Sequence, residues 1–369
     1  MKIKILHIIS SLKIGGAEQV LYQMLGNLNE YEHKVLFFHD GPFREKINAL
    51  GIETVQIKGL ICKYDPIFIF NILKNIIIFK PNVIHASLWA ANFFARIFGK
   101  ILKIPVLGVI HIVPEHDGKF RNFLDKISLS LTDEVVAVSD SVHDSLINNK
   151  FIKNKEIKVI KNGINSFSLL QKGMSEKISR SELNLDENNF VIANVGRFVK
   201  HKNQDLLIKS FYELFQVHNE ARLVLLGIGP ELNNLKKFVN ELNLNNYVQF
   251  IVGQPAYKYY PIFDCFVLPS SFEGLSISLL EALSFGLPCI VTENNRGHDV
   301  LKHNQTGIII NENVNDLTEN LIKLIEDKNL YSQLSVNGQK LVKEEYDFET
   351  MINSYKKVIN NLVIKKAHI

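Results

Sequence analysis

Two glutamates, Glu273 and Glu281, stand eight residues apart in the run Leu268-Pro269-Ser270-Ser271-Phe272-Glu273-Gly274-Leu275-Ser276-Ile277-Ser278-Leu279-Leu280-Glu281-Ala282-Leu283. The first follows a strand-like apolar stretch, where an open α/β sheet presents its ligand site. The second falls inside the next helical pattern, about 7–8 Å along the axis from Ser276 at 1.5 Å per residue. Its helical neighbours at three and four residues are Ile277, Ser278, Ser284 and Phe285, none of them a cation. A carboxylate on that face is costly to bury unless something hydrogen-bonds to it, as ribose hydroxyls would. Two solvated glutamates are the plain alternative.

Cations come next. Asn194-Val195-Gly196-Arg197 ends a strand pattern, and Lys202 follows five residues later where a helix opens. Two fixed positive charges near a helix N-terminus would neutralise a diphosphate and the charge that grows on it as a leaving group departs. Gly15-Gly16 precedes another helical pattern and would let backbone N–H groups face an anion. It is not Gly-x-Gly-x-x-Gly, which counts against a dinucleotide fingerprint. Leu225-Leu226-Gly227-Ile228-Gly229-Pro230 reads as a turn, with Pro230 suited to the first turn of the following helix. His111 ends a strand pattern, and Glu115, His116 and Asp117 follow it. These four read as a loop facing a cleft or as a metal site, although no His-x₃-His pair is present. The chain also contains no Asp-x-Asp pair.

Something must position these residues. Apolar runs rich in Val and Ile fall at 3–9, 34–38, 54–57, 83–85, 106–112, 134–139 and 157–160, with helical periodicity between them. A second series follows at 190–195, 223–226, 248–252, 265–268, 288–291 and 307–310. Strands of this kind alternating with helices predict parallel α/β sheets covered on both faces. Residues 164–188 are polar and read as a linker. The expected architecture is therefore two doubly wound, Rossmann-like domains facing across a cleft that exposes the carboxyl ends of both sheets.

Composition agrees. Of 369 residues 46% are hydrophobic and 22% charged, which excludes a disordered chain. The three cysteines, Cys62, Cys265 and Cys289, are far apart and odd in number, giving neither a disulfide framework nor zinc spacing; a reducing, cytosolic setting fits them. The apolar run Ile5–Ile9 is too short for a signal peptide, and 67–79 is too short and too polar to span a bilayer. Residues 1–165 carry 21 Lys/Arg against 15 Asp/Glu, with the excess around Lys150, Lys153, Lys155, Lys158 and Lys161. That stretch reads as a solvated face or as one drawn to anionic lipid, and no nucleic-acid motif accompanies it.

The ordered set Gly15-Gly16-Ala17-Glu18, His111, Asn162-Gly163-Ile164, Gly196-Arg197, Lys202-Asn203 and Glu273-x₇-Glu281, with Pro269-Ser270 and Gly286-Leu287-Pro288, resembles the family 4 retaining glycosyltransferases over nearly the whole chain. The resemblance implies the GT-B fold. An acceptor-side domain would span 1–163, with a C-terminal helix at about 348–369 packing back on it, and a donor-binding domain would span 164–347. It implies that Gly15 and Gly16 face the donor, Gly16 through its N–H. Arg197 and Lys202 hold the diphosphate, so no metal or other cofactor is required. Glu273 meets the donor sugar as an electrostatic and positioning group, and the N–H groups of Leu275 and Ser276 add to the phosphate site. Glu281 takes the ribose, Val252 and Gly253 lie near the base, and His111 reaches the sugar or the acceptor hydroxyl. Two positions depart from the family pattern: Asn165 stands where Asp is common, and Asn294-Asn295-Arg296-Gly297-His298-Asp299 replaces a glycine-rich stretch ending in Glu.

The leading expectation is transfer of a hexose or N-acetylhexosamine from a nucleotide diphosphate sugar, UDP favoured, to a glycan or polyprenyl-linked acceptor in surface polysaccharide assembly. The enzyme would be cytoplasmic, or peripheral on the inner face of the membrane. A nucleotide-sugar 2-epimerase of the same fold and an inactive sugar-nucleotide-binding scaffold are the alternatives. An NAD-dependent oxidoreductase is disfavoured by the first glycine turn.

Overall fold

The computed structural model describes residues 2–59, 65–111, 119–148, 157–272, 275–293 and 300–367. The chain divides into two compact units, Met1–Gly163 with Glu349–Ile369, and Ile164–Phe348. Each is built on a wholly parallel sheet, as the strand runs predict.

In the first unit the strands are β1 (Lys4–Ser11), β2 (Glu32–His39), β3 (Glu53–Gln56), β4 (Val83–Ser87), β5 (Val106–Ile110), β6 (Glu134–Ala137) and β7 (Ile157–Val159), ordered β3-β2-β1-β4-β5-β6-β7. The side-chain period of two divides the core between the faces of the sheet. Leu6, Ile8, Leu36, Phe38, Ile84 and Ala86 pack beneath α3 (Pro66–Phe79) and α4 (Trp89–Leu102). Ile9, Val35 and Phe37 pack beneath α1 (Gly16–Asn27) and α2 (Phe43–Ala49). Beside α4 lies α5 (Lys119–Ser128), joined to it by a buried ion pair, Arg96 to Asp125 at 2.6 Å. Before β7 comes α6 (Asp140–Asn148). The last helix of the chain belongs to this unit. Its Tyr355 meets His85 edge-on at 6.1 Å between ring centroids, and Asn360 Oδ1 accepts from Tyr31 Oη at 3.0 Å.

The second unit opens with α7 (Ser166–Ser175) and a single 3-10 turn at Arg180–Leu183, so 164–188 is structured where the sequence reads as a linker. The apolar residues of this helix do not mark its packed face, since its one buried residue is Gly173. It is docked through Gly173, where an added Cβ would lie 2.3 Å from the Phe285 ring. Asn165, the departure from Asp, caps α7 by accepting from Ser168 N at 2.9 Å, a role either residue fills.

The sheet of this unit runs β10-β9-β8-β11-β12-β13, from β8 (Phe190–Val195), β9 (Ala221–Gly227), β10 (Val248–Val252), β11 (Cys265–Leu268), β12 (Cys289–Thr292) and β13 (Ile308–Ile310). Between them lie α8 (Gln204–Phe215), α9 (Leu232–Glu241) and α10 (Ile277–Ser284), and α11 (Val314–Glu326), α12 (Lys328–Glu345) and α13 (Phe348–Ala367) complete the chain. Cys265 and Cys289 are buried, reduced and packed as small apolar groups, whereas Cys62 lies outside the described residues. Among the described residues no helix is long and apolar enough to cross a membrane. In both sheets the strand order reverses beside the first strand of the unit, at β1 and at β8. Ligands bind open α/β sheets at such switch points.

Candidate active site

The loop after β8 carries Arg197 and Lys202, and its shape is set by what lies below it. Asn194 Nδ2 donates to Val267 O at 2.8 Å, and Gln204 Nε2 donates to Arg197 O at 3.0 Å. Gly196 N and Phe198 N donate to Leu226 O (3.0 Å) and Ile228 O (2.8 Å), so the loop is zipped against the end of β9. This close approach accounts for the paired glycines. A Cβ on Gly227 would sit 1.8 Å from Gly196 O, and one on Gly229 would sit 2.2 Å from Phe198 O. The turn read from Gly227-Ile228-Gly229-Pro230 thus makes room for the cation loop. Pro230 stands outside α9, before its N-cap Glu231.

Lys202 does not open a helix. It ends a 3-10 turn, Lys200–Lys202; Asn203 follows in the left-handed region with φ 53°, and α8 begins at Gln204. This geometry folds the lysine back, so that a Cβ on Gly196 would lie 3.6 Å from its Cε and 3.7 Å from its Nζ. Burial, and then repulsion from Arg197, pull Lys202 down to about 7, and the same causes with Lys202 take His201 to about 4.

A carboxylate missed in the sequence holds this loop to its neighbour. Glu312, after β13, accepts from Asn203 Nδ2 at 2.7 Å and from Ser271 Oγ at 2.6 Å. Ser271 N also donates to His201 O at 2.9 Å, and the His201 and Phe272 rings stack at 4.8 Å. The loops after β8 and β11 are therefore joined side by side, at the switch point. Asn311-Glu312-Asn313 in sequence signals only a helix cap, a role that Asn313 fills.

Glu281 lies on α10, whose N-cap is Ser276; Leu275 precedes it, and Ser276 Oγ pairs with Ser278 Oγ at 3.1 Å. The partner that the sequence could not find for Glu281 is Tyr260. Its Oη donates to Glu281 Oε2 at 2.9 Å, and its ring stacks on Phe285 at 5.3 Å. Burial lifts Glu281 to about 7 against the pull of that hydrogen bond. Val252 is exposed at the end of β10, and Gly253 beside it has φ +71°, a left-handed conformation that favours glycine. Glu273, Gly274 and the stretch 294–299 lie outside the described residues.

In the first unit Gly15 is the N-cap of α1, with Gly16 its first residue and the buried Glu18 carboxylate close by. His111 follows β5. Its Nε2 is buried with no hydrogen-bond partner among the described residues, and burial lowers it to about 4, leaving a neutral imidazole at neutral pH. Glu115, His116 and Asp117 lie outside the described residues.

Beneath His111 the structure reveals a row of histidines that sequence reading passed over. His33 (β2), His7 (β1) and His85 (β4) run across three neighbouring strands, with 3.0 Å between His33 Nδ1 and His7 Nε2 and 3.0 Å between His7 Nδ1 and His85 Nδ1. His33 Nε2 lies 2.8 Å from Leu28 O, and a carbonyl can only accept, so each proton in the row is assigned. His33 donates to Leu28, His7 to His33 and His85 to His7. A bare His85 Nε2 remains, buried and without a hydrogen-bond partner among the described residues.

Two parallel-sheet α/β units of this kind, each presenting loops at a switch point, are those of the GT-B fold. The comparisons with known proteins agree. Residues 14–166 match the family model for "Glycosyltransferase Family 4", and residues 175–341 match "Glycosyl transferases group 1". The chain belongs to the family 4 glycosyltransferases. An uncharacterized glycosyltransferase of Methanocaldococcus jannaschii is 28% identical over 264 residues, 62% of this chain and 64% of the relative, just under two thirds of its length. The UDP-Gal:alpha-D-GlcNAc-diphosphoundecaprenol alpha-1,3-galactosyltransferase of Escherichia coli is 22% identical over 99% of this chain and 98% of its own. Anabaena HepE, solved in complex with UDP-glucose, superposes with a TM-score of 0.84 at 21% identity, covering 97% of this chain and 99% of HepE.

Proposed function

We propose that the chain is a retaining, metal-independent transferase that moves a hexose or N-acetylhexosamine from a UDP-sugar to a hydroxyl of a glycan or lipid-linked acceptor in surface polysaccharide or glycolipid assembly. One observation carries the reading: Lys202 is buried and folded over Gly196, where burial and then the Arg197 charge bring it down to about 7. A diphosphate laid across both cations would restore its charge. As the bond from the sugar C1 to the phosphate oxygen breaks, Arg197 and Lys202 would stabilise the negative charge on the departing UDP, the work a divalent metal does elsewhere. The acceptor oxygen attacks C1 from the face being vacated, and its proton passes to the leaving phosphate. Configuration is thereby retained without a strong general base. Glu281 would accept from the ribose hydroxyls, with Tyr260 holding the carboxylate in place. The base would lie by Val252 and Gly253, and the N–H groups of Gly16, Leu275 and Ser276 would face the donor. Glu273 would steady the sugar, and neutral His111 would hydrogen-bond the sugar or the acceptor hydroxyl. The enzyme would work in the cytoplasm at the inner face of the membrane, where lipid-linked acceptors are met. The complex of HepE with UDP-glucose and the undecaprenyl-linked substrate in the Escherichia coli relative's name support UDP and a lipid carrier.

Thermal shift with UDP and GDP on wild type and Arg197→Ala tests this. UDP at about 100 times its dissociation constant should stabilise wild type by roughly 2.7 kcal/mol and leave the variant nearly unmoved. Activity with a UDP-hexose should survive chelator and give an α-linked product by NMR from an α-linked donor. An equal shift in the variant, or an inverted product, refutes the assignment.

A further inference from the structure

The ladder between β4 and β5 stops at the pair Ser87 and Val109. Ile84 N donates to Pro105 O at 2.9 Å, and the bonds of a parallel ladder recur at every second residue. A continuing β4 would therefore bring Leu88 N to Val109 O. Instead Leu88 turns away with φ 71° and ψ 158°, a conformation almost confined to glycine. Its side chain packs with Ile9 and Leu12 on one face of the sheet, while α4 begins over the other.

Asn92, in the first turn of α4 and 1% exposed, takes over the carbonyls this turn leaves behind. Its Nδ2 donates to Val109 O at 3.0 Å and to Leu88 O at 3.1 Å, and its backbone N donates to Leu88 O at 3.0 Å. Carbonyls only accept, so the nitrogen must face both of them and the amide has one orientation. Asn92 Oδ1 then lies against Gly108, where an added Cβ would sit 2.9 Å away. The same turn is tied to the end of β1, since Ala91 N donates to Ser10 Oγ at 3.1 Å.

What this holds in place is the end of β5. His111 lies two residues beyond Val109, and its Nε2 is buried with no hydrogen-bond partner among the described residues, so the place of the ring follows from the backbone. On the β6 side of that backbone Ile110 O accepts from Val138 N at 3.3 Å; on the β4 side Val109 O accepts from Asn92 at 3.0 Å. We infer that Asn92 is a positioning residue for His111: it supplies the rung that Leu88 withdraws and so fixes where the imidazole stands at the switch point. The inference rests on the transferase reading for its effect on turnover, and on these hydrogen bonds alone for its effect on the ring.

Histidine NMR of the full chain tests it without a substrate, with the His111 signal identified by its loss in His111→Gln. Between pH 8 and pH 5.5 that signal should hold still in wild type, because burial holds the group at about 4. Asn92→Leu fills the space without donating. Its His111 should move within that range, the midpoint rising by at least about one pH unit as the ring leaves its buried place. His7 and His85, bonded to each other and to His33 across β2, β1 and β4, should hold still in both proteins. Should Asn92→Leu fail to fold, Gly108→Ala/Thr132→Ser replaces it. The new Cβ displaces Oδ1, while Thr132→Ser removes the methyl that it would meet at 2.9 Å, and the same movement is expected. A His111 signal that holds still in a folded variant overturns the inference, as does joint movement of His7, His85 and His111, the mark of a generally loosened core. Release of UDP from UDP-glucose, with water as acceptor, gives a second readout. Asn92→Leu should lower kcat at least about tenfold with little change in KM, and less than about threefold in a His111→Ala background. Equal losses in both backgrounds overturn the inference. Full turnover by His111→Ala refutes the role given to His111 in transfer, a failure of that reading that the NMR result keeps separate.

Discussion

Acid should unfold the first unit by a route that can be calculated from the histidine row. His7 and His85 are buried, and each is held far below its ordinary value, His85 at about 3. For both, burial is the main cause; repulsion within the row comes second, with His111 acting on His85. His7 has no nitrogen free to take a proton, since one already donates to His33 and the other accepts from His85. In the unfolded chain both imidazoles protonate near pH 6.5. Between about pH 6.5 and pH 4 the unfolded chain therefore binds more protons than the folded one. Stability present in full above pH 6.5 is lost as the pH falls. At pH 5.5 each group costs about 1.4 kcal/mol relative to pH 8, roughly 3 kcal/mol for the two. At about 2–4 °C per kcal/mol for a unit of this size, Tm should drop by roughly 6–12 °C. The assay is built into the sequence, since Trp89 is the one tryptophan and belongs to this unit. A melt followed by tryptophan fluorescence reports the first unit alone. His85→Gln, which cannot titrate, should reduce the acid loss by at least about 1.4 kcal/mol. A wild-type Tm that is flat between pH 8 and pH 5.5, or an equal fall in the variant, refutes the reasoning.

Two further outcomes concern the second unit. If a diphosphate recharges Lys202, UDP binding at pH 8 should take up roughly 0.9 proton more in wild type than in Lys202→Arg, because a group titrating near 7 is about nine-tenths neutral there. Calorimetry in buffers of different ionisation enthalpy reads this difference, and equal uptake refutes contact between the diphosphate and Lys202. Glu312→Ala should free the loops bearing Asn203 and Ser271, raising KM for the donor about tenfold with a much smaller change in kcat. Glu312→Gln, which keeps an accepting oxygen for both partners, should recover most of the loss; a kcat defect without a KM effect, or no rescue, discards the positioning role.

All thirteen strands and the parallel class of both sheets were legible in the sequence. Strands buried on both faces read as largely apolar runs without clean alternation, and β11 (CFVL) and β12 (CIVT) are buried at every position. The cations Arg197 and Lys202 could be found because they sit in one loop, five residues apart. The dock of α7 was hidden, since its one buried residue is Gly173, against Phe285, while Phe167 and Met174 are exposed. What only the tertiary structure decided are the contacts between distant residues. Tyr260 reaches Glu281 across 21 residues, Glu312 reaches Asn203 across 109, and His7 meets His85 across 78. None of these pairs has a local spacing. The last two exist because strand order places β13 and β8 in one sheet and sets β1 between β2 and β4. A helix or strand is written by the period of its own residues, but a site assembled at a switch point depends on which strands become neighbours. Packing of the whole unit settles that.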